Sequence, residues 1–274
     1  MKVKNDGVEP FLKWAGGKRR LIDQIFPALP PLRSDSTYRE PFLGSGALFF
    51  GLGHSKAVLS DLNSNLIETY AALRDCSDLV ISSLRGLDPS KETYYRVRNS
   101  RPRTPHTRAA KFIYLNKTCF NGLYRVNLHD EFNVPFGAHG PNVVVRDHKQ
   151  LTAASEALRG TELLSSDFET ALSDAVVGDL VFLDPPYTTA HSQNGFIEYN
   201  ARVFSWEDQR RLASVARSLA KNNVSVAITN AAHPSITRLY PRSVFERTTL
   251  SRWNTMAADS KKRFKGTEVL FVSR

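Results

Sequence analysis

The sequence predicts an α/β fold in which a mostly parallel sheet is interrupted by a helical insertion. Three observations carry that expectation. Short apolar runs of strand character alternate with helical stretches near both ends of the chain; a glycine-rich turn joins the first strand to a helix; and residues 63–120 have a helical rhythm with few strand signals.

In chain order, residues 37–61 read as the strand TYREPF, the turn LGSG, the helix ALFFGLG and the strand KAVLS, which ends on Asp61. That is the opening of a βαβ unit. Helices follow over 63–120, with the apolar period clearest in AAKFIYLNKTCF. Residues 120–136, FNGLYRVNLHDEFNVPF, alternate around His129-Asp130 and predict a β-hairpin. Strand candidates then resume in TELLSS, DLVFLD, VSVAIT, SVFERTTL and TEVLFVS, with SWEDQRRLASVARSLAKN a helix that Ser205 caps. A parallel sheet opens its ligand crevice at the carboxyl ends of its strands, where Asp61 and Asp184 both stand.

Composition narrows the function classes. The 274 residues, 41% hydrophobic and 23% charged, are enough to bury an ordinary core. Two cysteines, Cys76 and Cys119, give neither a disulfide framework nor a metal-binding C-x-x-C pair. No apolar run is long enough to span a bilayer and MKVKNDGVEP has no leader-like stretch, so a cytoplasmic protein without membrane attachment is expected. A net charge of +10 favours a polyanionic partner. Residues 91–125 carry nine Lys or Arg against the single acid Glu92, and residues 242–265 carry seven against two; both are candidate phosphate-facing surfaces. The alternative is a basic face kept for solubility.

The chemistry concentrates in Asp184, Pro185, Pro186 and Tyr187, which follow the apolar strand DLVFL directly. Successive prolines fix φ and remove two backbone donors, leaving carbonyls that accept from an amine, while the carboxylate adds another acceptor. An exocyclic amine whose hydrogens are both accepted has its lone pair localised on nitrogen and becomes nucleophilic. Tyr187 offers a stacking face of the kind that enzymes acting on a flipped base use. The bland alternative is a strand-ending turn with a capping acid. A second motif runs from Glu40 through Pro41, Phe42, Leu43, Gly44 and Ser45 to Gly46, where glycine lets backbone approach a ligand. Asp61, one strand later, suits the hydroxyls of a ribose, or else caps the helix from Asn63. In a third, FLKWAGGK, Trp14 and Lys18 flank paired glycines, as in a ligand lid or a basic surface loop.

Taken in order, KWAGGK, EPFLGSG, Asp61, LNKTCFNGLYRVN, FNVPFG and DPPY closely resemble the Dam family of DNA adenine-N6 methyltransferases, in its alpha group, over nearly the whole chain. The resemblance implies a Rossmann-like, S-adenosylmethionine-dependent methyltransferase sheet (residues 1–66 and 147–274) with a helical plus β-hairpin target-recognition insert (67–146). It implies double-stranded DNA as partner, no metal, and S-adenosylmethionine held by Trp14, Lys18, Glu40, Phe42, Gly44, Gly46, Asp61, Asp167, Phe168 and Asp184; a monomer is expected because no heptad or obvious apolar face advertises a partner. Asp184, Pro185, Pro186 and Tyr187 are then catalytic. Phe120, Asn121, Leu123, Arg125 and Pro135 meet DNA, Arg125 matches a guanine-reading arginine, and GATC is the implied target. Two rival readings are a methyltransferase acting on another amine or amide (an RNA base, cytosine N4 or protein glutamine) and an inactive DNA-binding homologue.

Overall fold

The computed structural model describes residues 8–127, 129, 131–137, 144–188, 204–253 and 265–274. Seven strands form one sheet: β1 (Tyr38–Glu40), β2 (Ala57–Asp61), β3 (Glu162–Ser165), β4 (Leu180–Leu183), β5 (Ser225–Ala231), β6 (Phe245–Trp253) and β7 (Lys265–Ser273). Their order is β3-β2-β1-β4-β5-β7-β6. Strands β1 to β5 run parallel to one another, and β7 runs antiparallel between β5 and β6. The seven sheet strands read from the sequence outside residues 120–136 are all present. The chain winds outward from β1 in one direction and from β4 in the other, so the switch point lies between those two strands, where a doubly wound sheet opens its crevice.

Strand β4 accounts for its own place. Leu180, Val181, Phe182 and Leu183 are all at or below 1% exposure, as a central parallel strand covered on both faces must be. Leu180 and Phe182 join one apolar core, with Leu59 and Ala227; Val181 and Leu183 join a second, with Val226 and Ile228. The period of two divides the strand between two helix-covered faces.

Beneath the seam between β1 and β4, Arg39 Nε lies 2.8 Å from Asp179 Oδ2 and its Nη1 2.6 Å from Asp174 Oδ1. The other Asp179 oxygen accepts from the Thr37 backbone at 3.0 Å. A buried carboxylate is tolerated here because it is both paired and hydrogen-bonded.

Helices α1 (Ile22–Ile25) and α2 (Ala47–Leu52) flank the first strands. The insertion is built on α3 (Ser64–Ser83), α4 (Lys91–Asn99) and α5 (Pro105–Thr118). Asn63 caps α3 by accepting from Leu66 N, and Thr104 with Thr107 forms a capping box at α5. Tyr70, Tyr94, Ile113 and Tyr114, all at 0% exposure, pack this unit into the same core as β1 and β2. Helices α6 (His148–Leu158) and α7 (Phe168–Ala171) lead into and out of β3. Helix α8 (Trp206–Lys221) starts at Ser205, which forms the expected cap as one half of a box with Asp208, and α9 (Pro234–Leu239) follows β5.

The segment expected as a hairpin pairs in its inner part and departs from a regular ladder further out. Around the expected turn Val126 bridges Phe132 in antiparallel sense, with Asn127 N donating to the Glu131 carbonyl at 2.9 Å and Asn133 N to the Arg125 carbonyl at 3.0 Å; Cys119 bridges Phe136, and a 3-10 turn over Phe120–Gly122 lies between the two bridges. Asn121 and Gly122 both have positive φ, which takes the chain out of the extended region a ladder requires. Leu128 and Asp130, at the expected turn, lie outside the described residues.

Candidate active site

The glycine turn leaves β1 at Glu40 and enters α2 at Ala47. Gly44 (φ 47) and Gly46 (φ 64) are left-handed, a conformation that disfavours a side chain. The turn is tied on both sides. Gly44 N donates to Asp61 Oδ2 at 3.1 Å, and Gly44 O accepts from the Tyr70 hydroxyl at 3.1 Å. Asp61 Oδ1 accepts from Asn63 N at 3.0 Å, so this carboxylate joins the glycine turn to the start of α3 while Asn63 itself caps the helix. Burial pushes the Asp61 pKa up against the pull of those two N–H groups.

The loop bearing Trp14 and Lys18 closes over this turn. A Cβ on Gly44 would stand 2.7 Å from Trp14 Cδ1, so the indole lies directly on the glycine. Its other neighbour is Tyr124, stacked at 5.8 Å and 22°. The loop is also clasped to α5: Lys13 N donates to Asn116 Oδ1 and Asn116 Nδ2 donates to Lys13 O, each at 2.8 Å.

Lys18, 4% exposed, reaches Asp184 Oδ1 at 2.7 Å and the Gly16 carbonyl at 2.8 Å. Asp184 Oδ1 also accepts from Thr229 Oγ1 at 2.7 Å. Among the described residues nothing donates to Asp184 Oδ2 or to the Pro185 carbonyl, whereas the Pro186 carbonyl accepts from Gln209 Nε2 at 3.0 Å. Burial raises the Asp184 pKa, Lys18 and Thr229 oppose the rise, and Glu268 adds to it. The Tyr187 hydroxyl donates to Glu268 Oε2 at 2.6 Å, and its ring centroid is 4.9 Å from Lys18 Nζ.

Other residues singled out in the sequence fall into three groups. Glu40 is buried under α2, where its carboxylate accepts from the Tyr38 hydroxyl and Phe49 N; burial lifts its pKa to about 8 despite both donors. Phe42 stacks on Phe168 at 5.7 Å, and the Arg211 guanidinium covers the Phe168 ring at 4.5 Å. Phe168 is 2% exposed, and Asp167 caps α7 through Glu169 N while pairing with Arg211 at 2.7 Å. At the recognition segment, Phe120 is 46% exposed, Asn121, Arg125 and Pro135 are exposed, and Leu123 is half-buried. Arg125 Nε donates to Asn133 Oδ1 at 2.7 Å, and Phe120 N to the Pro135 carbonyl at 2.9 Å.

Thr229, Gln209, Asn116, Tyr124 and Glu268 escaped the sequence reading. Glu268 left a signal: it shares the period-two row of Leu270 and Val272 in TEVLFV, so an acid there faces the core. Of the basic stretches, Arg101 and Arg108 pair with Glu131 and Glu68, and Lys111 donates to two carbonyls. Much of 242–265 lies outside the described residues. Among the described residues no group of three His, Cys, Asp or Glu side chains gathers as a metal site would need, and no helix is long and apolar enough to cross a membrane.

Comparison with known proteins adds an independent finding. Residues 14–257 match the family model described as D12 class N6 adenine-specific DNA methyltransferase. The chain is 36% identical over 277 residues, 97% of its length and 95% of the relative's, to the Type II methyltransferase M1.LlaDCHI of Lactococcus lactis subsp. cremoris. It is 36% identical to the Type II methyltransferase M.MjaIII of Methanocaldococcus jannaschii, over 82% of this chain and 84% of that protein. It is 31% identical to a DNA adenine methylase of Haemophilus influenzae, over 96% and 93%.

Proposed function

Because the chain belongs to the family of D12 class N6 adenine-specific DNA methyltransferases, whose methyl donor is S-adenosylmethionine, we propose that Asp184 and the Pro185 carbonyl activate the adenine amine of a GATC site. The observation that carries this reading is the division of labour on Asp184: Lys18 and Thr229 occupy Oδ1, which leaves Oδ2 for a substrate N–H. With the Pro185 carbonyl it forms a pair of acceptors at the end of β4, suited to both hydrogens of one NH2 group. Accepting them localises the nitrogen lone pair and aims it away from the acceptors. As the amine takes the methyl from sulfur, which leaves with the bonding pair, the nitrogen becomes cationic; the carboxylate stabilises that charge and the extra proton passes by way of it to solvent, so catalysis here is positioning and electrostatics. Tyr187 supplies the stacking face, with its hydroxyl already committed to Glu268.

The cofactor cradle we infer is the glycine turn with Trp14, Lys18 and Asp61, flanked by Glu40, Phe42, Asp167 and Phe168. Its chemistry suits S-adenosylmethionine. Two left-handed glycines expose backbone, and each Asp61 oxygen carries one N–H donor and keeps a lone pair for a ribose hydroxyl. When bound, S-adenosylmethionine supplies a methyl on positively charged sulfur. Lys18 belongs to this cradle through Asp184, which it holds at 2.7 Å.

Residues 67–146 act as the target-reading unit. Asn133 holds Arg125 through Nε at 2.7 Å and through Nη2, which donates to its carbonyl at 3.4 Å, presenting the guanidinium toward guanine O6 and N7, while exposed Phe120 and Asn121 meet bases and backbone beside Leu123 and Pro135. We take the chain to act as a monomer on double-stranded DNA in the cytoplasm. Nucleoside mass spectrometry of unmethylated DNA, incubated with the protein and S-adenosylmethionine, tests the reading. N6-methyladenine from wild type and none from Asp184→Ala is the expected result, and sequencing of the modified sites checks GATC. Near wild-type methylation by Asp184→Ala would overturn it.

A further inference from the structure

Burying a carboxylate is costly unless partners repay its lost hydration. Glu268 is 3% exposed on β7, outside every motif that marks the site. It stands opposite Ala231 on β5, two residues from Thr229, the residue that holds Asp184 Oδ1. Its Oε2 accepts the Tyr187 hydroxyl at 2.6 Å and lies 3.6 Å from Lys18 Nζ. Both partners touch the chemistry directly, Tyr187 through its ring and Lys18 through its 2.7 Å contact with Asp184.

We propose that Glu268 is a positioning residue for methyl transfer, fixing the Tyr187 ring by its hydroxyl and the Lys18 ammonium by charge. Tyr187 is held at two points, by the chain after Pro186 and by Glu268, which stops the ring from swinging about its Cα–Cβ bond. Lys18 is held between two carboxylates, which keeps it on Asp184 Oδ1 and leaves Oδ2 turned to the amine. An acid on the antiparallel arm of the sheet thereby aligns both the stacking face and the acceptor on the parallel arm. The proposal rests on the roles given above to Asp184 and Tyr187.

The full chain is assayed as wild type, Glu268→Gln, Tyr187→Phe and the double variant. Turnover and KM are measured on unmethylated DNA, S-adenosylmethionine affinity by calorimetry, and folding by thermal melting. Glu268→Gln keeps the volume and removes the charge, so it tests the role even where Glu268→Ala fails to fold. The expected result is a fall in kcat of about tenfold to a hundredfold for Glu268→Gln, with KM and cofactor affinity within about threefold. The double variant is expected to be no slower than Glu268→Gln, because Tyr187→Phe removes a bond that the first change has already weakened. Wild-type kcat in Glu268→Gln, losses that multiply in the double variant, or a loss confined to KM or melting temperature would each overturn the proposal. Failure of the wild type to methylate DNA would instead remove the reading on which it rests.

Discussion

Replacing Gly44 by alanine perturbs the cradle by one methyl group at its tightest point. The new Cβ would lie 2.7 Å from Trp14 Cδ1 and 3.0 Å from Nε1, while the backbone stays at φ 47. A left-handed conformation costs a non-glycine residue about 1–2 kcal/mol, and forcing an extra methyl against a packed ring adds about 1–3 kcal/mol. The indole has little room to retreat, because Tyr124 stacks on it at 5.8 Å. Urea unfolding of Gly44→Ala should therefore show a loss of about 2–5 kcal/mol, with weakened S-adenosylmethionine binding in calorimetry. Trp14→Leu in the same background should return the packing share and leave the backbone share. A loss for Gly44→Ala that is the same with and without the indole would refute this reasoning, since the clash would then lie elsewhere.

Arg39→Ala should destabilise by about 3–5 kcal/mol in chemical unfolding, because buried Asp179 is left with backbone donors and no cation; a loss under about 1 kcal/mol would contradict the role given to this pair. Folded Glu40 keeps its proton up to about 8, whereas the unfolded chain releases it near 4.5, so this group's contribution to stability falls as pH rises between those values. Within that window the slope is about 1.4 kcal/mol per pH unit, and Glu40→Gln should flatten the measured pH dependence of unfolding. Arg125→Ala should lower discrimination at one base position by about 1–3 kcal/mol while S-adenosylmethionine affinity holds; an unchanged site preference in sequencing of methylated DNA would exclude Arg125 as a base reader.

What was legible in the sequence was what local pattern encodes. Strands β1 to β7 and the Ser205 cap follow from apolar runs, turn residues and capping chemistry, each complete within a few neighbours. The DPPY and glycine motifs were legible because their chemistry is contiguous. The pairing of Lys18 with Asp184 was not, since it joins residues far apart in sequence that only the sheet order brings together. Tyr187 was read as a stacking ring; that its hydroxyl belongs to Glu268 depends on the antiparallel register of β7. The recognition segment was legible only in its inner part. Its alternation predicts the antiparallel pairing of Val126 with Phe132, whereas the positive φ of Asn121 and Gly122 turns the chain before a regular ladder reaches Cys119 and Phe136.

The seam between β1 and β4 also dictates when this protein comes into being. Arg39 and Asp179, the pair that rivets the two strands, are 140 residues apart. Glu40, Gly44 and Asp61 sit on one side of the seam and Asp184 on the other, so no half-formed chain holds both the glycine cradle and the acid. Loop closure over such a span is slow, and folds dominated by non-local pairing gain structure late. On a ribosome moving at about 5–20 residues per second, the glycine turn waits many seconds for its counterpart to be synthesised. Competence to modify DNA therefore cannot precede closure of this seam, and regain of activity on refolding should not run ahead of β1–β4 pairing.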